Sequence, residues 1–150
     1  MGFVGRLFRK VAKVGKRALS SVASSIGKKI SERLYSSGEI HLRRISTGQK
    51  YNFCGPGTDL DARLNADGSP KAHSKPINSL DEGCRKHDLA YENNQDGNNQ
   101  EHHDTRLAAD KQLQQTAKEF RQGPDANWSD KIEGFLTETG MKVKIKSGVF

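Results

Sequence analysis

His87 and Asp88 stand side by side in the run Cys84-Arg85-Lys86-His87-Asp88-Leu89-Ala90-Tyr91. Spacings of three and four put Leu80, Cys84, His87, Asp88 and Tyr91 on one face of a helix. An imidazole and a carboxylate thus hold positions that a helix normally gives to its core. A buried carboxylate without a cation or donors costs several kcal/mol. An isolated His-Asp pair is more often structural than catalytic, so a second feature has to decide. Asp110 is such a feature, because it falls within the apolar stripe Leu107, Leu113, Ala117 and Phe120. A carboxylate there can accept a hydrogen bond from one ring nitrogen of His87 and leave the other as a base. Asp104 competes for that role from less apolar surroundings.

A third element is the loop Tyr51-Asn52-Phe53-Cys54-Gly55-Pro56-Gly57-Thr58. Two glycines around a proline force a turn and bare the backbone. Inward carbonyl oxygens suit a hard cation such as calcium. Taken alone, the loop reads as an ordinary turn.

Helix signals flank each of these groups. Ser79 with Glu82 three residues on has capping-box spacing and predicts a helix from Ser79 to about Asn94, with Gly97 as a stop. A second helix runs from about Glu101 to Arg121 and ends at Gly123-Pro124. Trp128, Ile132, Phe135 and Leu136 form a short helical apolar face, expected to close the core rather than to meet lipid. Met141-Lys142-Val143-Lys144-Ile145-Lys146 alternates like an edge strand with its lysines on one side. The polar stretch from Asp59 to Lys75 gives no clear shape. Arg63 at a ligand position argues against an EF-hand over Asp59–Arg63, and the adjacent His102 and His103 point to different helix faces, which disfavours zinc.

Composition sets the scale. Of 150 residues 33% are apolar, and mean hydropathy is −0.82. A small core of this kind benefits from a covalent or metal staple. No apolar run reaches the ~18–20 residues of a membrane span. Residues 1–50 carry twelve Lys and Arg against Glu32 and Glu39, a balance of +10, while residues 51–150 balance at −3. Val4, Leu7, Phe8, Val11, Val14, Ala18, Leu19, Val22, Ile26, Ile30 and Leu34 draw a helical stripe through the basic end. Residues 1–35 therefore read as a basic amphipathic helix for an anionic membrane surface or a partner. Nucleic acid is a weaker candidate, since no aromatic residues interleave for base stacking. Basic residues interrupt every candidate signal-peptide core, and Arg6 stands where myristoylation needs Ser or Thr. Residues 36–50 read as a linker and 51–150 as the domain.

In combination, Phe53-Cys54-Gly55-Pro56-Gly57, then His87-Asp88-Leu89-Ala90-Tyr91, then Ala109-Asp110 resemble the phospholipase A2 superfamily. Within it the likeness is to the phospholipase domain in the unique region of parvovirus minor capsid proteins. It covers roughly residues 51–145. The resemblance implies a mainly α fold with two antiparallel catalytic helices, a calcium loop and one disulfide. It implies calcium held by the carbonyls of Phe53, Gly55 and Gly57 and the carboxylate of Asp88. His87 would be the general base, Asp110 its orienting acid, Tyr91 a support, and the Gly55 amide an oxyanion donor. It implies a Cys54–Cys84 bridge, worth about 3–4 kcal/mol in the chain-entropy model. The implied activity is hydrolysis of the sn-2 ester of phospholipids, used for membrane breaching by a virus. The implied setting is a virion or the extracellular space, with viral capsid proteins as partners and the endosomal membrane as the site of action. Thr58 departs from the glycine that follows the loop in secreted enzymes, and many parvoviral domains carry an aliphatic residue at the position of Cys54.

Overall fold

A computed structural model describes residues 41–55, 57–95 and 99–148. The basic helix expected over 1–35 lies outside the described residues, as do residues 36–40 of the expected linker. The described chain forms four α-helices: α1 (Leu60–Arg63), α2 (Ser79–Glu92), α3 (Gln100–Gln122) and α4 (Trp128–Ser147). A 3-10 turn at Ala72–Ser74 lies between α1 and α2. Among the described residues strand pairing is limited to isolated bridges, Arg43 with Lys50 and Leu64 with Pro70. The fold is mainly helical, as expected.

Local chemistry explains the helix ends. Asn78 caps α2 by accepting from the Asp81 amide. The helix begins at Ser79 as expected, but the Ser79–Glu82 capping box does not form, because the cap is Asn78 and Glu82 pairs with Arg85 instead. Asn99 caps α3. Asn127 and Asp130 form a reciprocal capping box at α4, and Gly148 ends it at φ 64°, a left-handed value suited to glycine.

Central helix α3 packs against α2 on one side and α4 on the other. Glycines permit both approaches. A Cβ on Gly83 of α2 would lie 2.9 Å from the Thr116 methyl, and one on Gly134 of α4 would lie 2.7 Å from the Ala117 carbonyl oxygen. The core between these layers holds Phe53, Leu80, Leu113, Ala117 and Met141.

Two expectations about the C-terminal third are corrected. Residues 141–146 are not an edge strand but the last turns of α4. The Lys-Val-Lys-Ile alternation coincides with a helical face on which Gly134, Met141 and Lys144 are buried. Nor do Trp128, Ile132, Phe135 and Leu136 close the core, being 58%, 43%, 55% and 61% exposed. The inward face of α4 is instead Ser129, Asp130, Glu133, Gly134 and Met141, rotated away from the apolar stripe.

Residues 41–50 are tied to the rest of the domain. Leu42 exchanges main-chain hydrogen bonds with Cys54 and Tyr51 at 3.1 and 2.9 Å. Arg44 pairs with Asp130 and reaches Glu133 at 3.5 Å. The Ile45 amide donates to Glu133 at 2.8 Å, and the Tyr51 hydroxyl donates to the same carboxylate. Burial and the Glu133 carboxylate push the Tyr51 phenol above its ordinary pKa. Among the described residues no helix is long and apolar enough to cross a membrane.

Candidate active site

All five positions of the α2 stripe are buried: Leu80, Cys84, His87, Asp88 and Tyr91. The close crossing at Gly83 brings this stripe onto the Asp110 face of α3. His87 Nε2 lies 2.7 Å from Asp110 Oδ1. A carboxylate can only accept, so Nε2 carries the ring hydrogen, and Nδ1 is the basic nitrogen. Nδ1 lies 3.5 Å from Asp88 Oδ1. The Tyr91 hydroxyl donates to both oxygens of Asp110, at 3.0 and 2.9 Å. Its ring stacks on the imidazole with centroids 4.6 Å apart. Two faces of the histidine are thus fixed, one by a hydrogen bond and one by an aromatic plane. Asp104 takes no part in this network: it is exposed and accepts from Gln100 one turn earlier.

The glycine loop is held from two sides. Cys54 and Cys84 are disulfide-bonded with Cα atoms 5.3 Å apart, fastening the loop to α2. Asp81, fully buried, accepts from the main-chain amides of Asn52, Phe53, Cys54 and Ile77 at 2.8–3.2 Å. Four amide donors offset the charge. With the Phe53 amide turned toward Asp81, the Phe53 carbonyl is presented elsewhere. The Thr58 hydroxyl lies 3.1 Å from Phe53 O and 3.3 Å from Gly55 O. One hydroxyl reaching both oxygens means that the two carbonyls converge. Gly57 belongs to the same turn at φ 74°, and Pro56 lies outside the described residues.

Beside these groups lies an apolar cleft of about 200 Å³. Phe53, Gly55, His87 and Asp88 line its depth, and Leu42 and Leu136 stand at its exposed rim. The donor set fits calcium. It offers two converging main-chain oxygens and a buried carboxylate, all hard ligands with no soft one in competition. His102 and His103 belong to no group of three or more metal-ligating side chains among the described residues.

The structure adds three residues that motif reading passed over. Asp81 orients the loop, but its partners are amides and leave no trace in side-chain types. Thr58 touches the converging carbonyls, although in sequence it stood out only as a departure from glycine. Lys144 lies buried against Asp110 at 2.5 Å and also donates to the Tyr91 hydroxyl. Continuing the three-and-four spacing from Gly134 through Met141 finds it.

A family model for the phospholipase A2-like domain matches residues 46–132. No curated protein and no solved structure matches the chain. The matched span is more than half of the sequence and carries the loop, the α2 stripe and Asp110, so the chain belongs to the phospholipase A2-like domain family.

Proposed function

We propose that this protein is a calcium-dependent phospholipase that hydrolyses the sn-2 ester of phospholipids. One observation carries the reading: a histidine oriented by a buried carboxylate opens on the same apolar cleft as two converging carbonyls and a second carboxylate. Phe53, Gly55 and Asp88, with Gly57 from the same turn, would hold calcium. Bound there, the ion supplies Lewis-acid polarisation of the ester and charge to meet the lipid phosphate. His87 Nδ1 takes a proton from the attacking water, a contribution of about 10²–10⁴-fold. Asp110 stabilises the imidazolium so formed and keeps the ring from turning. The Gly55 amide faces developing negative charge as an oxyanion donor. Water itself is the nucleophile, so the site needs no reactive serine.

The apolar cleft suits acyl chains. The exposed Trp128, Ile132, Phe135 and Leu136 give α4 a face that can enter the headgroup region, and the basic residues before position 35 supply attraction to anionic lipid. The likeness to the parvoviral domain supports use in membrane breaching, on endosomal membranes and in the company of capsid proteins. A second reading makes the chain a non-catalytic membrane-permeabilising or nucleic-acid-binding accessory acting through its basic N-terminal segment, which the +10 balance of residues 1–50 favours.

Fatty-acid release from anionic phospholipid vesicles, with calcium and then with excess chelator, separates the two. The enzyme releases fatty acid only with calcium. Vesicle leakage without any fatty-acid release, unchanged by chelator, would establish the accessory role instead.

A further inference from the structure

Lys144 is an unusual occupant of a core. It is 2% exposed, on a helix whose neighbouring lysines, Lys142 and Lys146, face solvent. Its ammonium meets Asp110 Oδ1 at 2.5 Å, donates to the Tyr91 hydroxyl and lies 4.0 Å from the centre of the Tyr91 ring. Asp110 is itself fully buried. Among the described residues its other donors are the His87 ring and the Tyr91 hydroxyl. The next cation, Arg106 of α3, faces the Tyr91 ring at 5.8 Å from its centroid. Among the described residues Lys144 is therefore the cation in direct contact with the carboxylate.

We infer that Lys144 is a positioning residue for the His87–Asp110 pair, a role that rests on the proposed hydrolytic reading. An ionised Asp110 can only accept, which places the hydrogen of His87 on Nε2 and makes Nδ1, on the Asp88 side, the basic nitrogen. A buried carboxyl without a countercharge favours its protonated form. Protonated Asp110 can donate to Nε2, and the ring hydrogen then moves to Nδ1, where it blocks the base. Lys144 keeps the carboxylate ionised, so it selects the tautomer from the far side of Asp110. Its second bond, to Tyr91, orients that hydroxyl so that its own hydrogen points at Asp110.

The test combines ¹⁵N NMR of histidine-labelled full chain, at a pH where His87 is neutral, with kinetics on phospholipid vesicles. The unaltered protein shows His87 as the Nε2–H tautomer. Lys144→Met moves the signals toward the Nδ1–H tautomer and lowers kcat by about 10²-fold with KM little changed. In an Asp110→Asn background the same substitution changes neither signal nor kcat. A Lys144→Met protein that keeps the Nε2–H tautomer and full kcat while losing only thermal stability overturns the inference. So does an equal loss in the Asn background. Should Lys144→Met alone fail to fold, the Asp110→Asn/Lys144→Met pair is expected to fold, and its failure also counts against the idea. The tautomer is read without any turnover, so an inactive parent protein sinks the hydrolytic reading and leaves this result to stand separately.

Discussion

Two buried acid–base networks lie at opposite ends of α4, and they differ in what they open onto. Near its start, Asp130 and Glu133 meet Arg44, Tyr51, Ser129 and the Ile45 amide. Near its end, Lys144 meets Asp110, Tyr91 and, through Asp110, His87. Both bury carboxylate beside a cation. The first ties residues 41–50 to α4, and none of its members lines the cleft that His87 lines. The second places one of its members, His87, in a cleft with converging carbonyls and Asp88. Buried charge therefore marks a place where polar groups had to be satisfied, and an opening to solvent-sized space marks where they can act.

That contrast predicts separable effects. His87→Gln or Asp88→Asn should lower fatty-acid release by about 10²–10⁴-fold, with circular dichroism and melting temperature close to the parent. Retained activity in both would erase the distinction between the networks. Arg44→Met leaves two carboxylates without their cation and should destabilise the fold by about 3 kcal/mol. Its kcat, measured well below the melting temperature, should stay within about twofold of the parent, because stability and turnover are carried by different groups. Chemical denaturation alongside vesicle kinetics would settle it, and a joint loss of both would show that the networks are coupled.

The smallest effect concerns the network that anchors residues 41–50. Tyr51 holds its proton above its ordinary pKa because it is buried and donates to Glu133. A raised acid pKa contributes stability that is complete below about pH 10 and is lost as pH rises through the folded value. Thermal melts should therefore fall steeply above pH 10 in the parent and more gently in Tyr51→Phe. The substitution itself should cost about 1 kcal/mol at neutral pH. Identical alkaline slopes would remove Tyr51 from the account.

Legibility in the sequence followed side-chain periodicity. The α2 stripe was readable because His87 and Asp88 interrupt an otherwise apolar face, and Asp110 was readable because it does the same on α3. Neither signal exists for Asp81, whose four partners are amides. Helix α2 begins at Ser79 as expected, but Asn78 rather than Ser79 caps it, because both residues can cap and lie next to each other. The end of α4 misled for a different reason. Lys142, Lys144 and Lys146 suggest a solvated side of a strand, yet only Lys144 turns inward on a helix. A two-residue alternation over six positions fits either structure. Burying a lysine there depends on Asp110, which lies 34 positions away. The apolar residues at 128, 132, 135 and 136 misled in the opposite direction, since an exposed apolar face looks like a core face until its neighbours are known.

Helix α4 also bears on how much of the chain is needed. The matched family span stops at residue 132, twelve positions before Lys144. A protein ending there would retain the motifs by which the family is recognised, together with Asp130. It would lose Met141 from the core and the ammonium behind Asp110. The smallest unit that keeps this core and the Asp110 ion pair is therefore longer than the recognisable one, and the lysine that completes it has no motif to announce it.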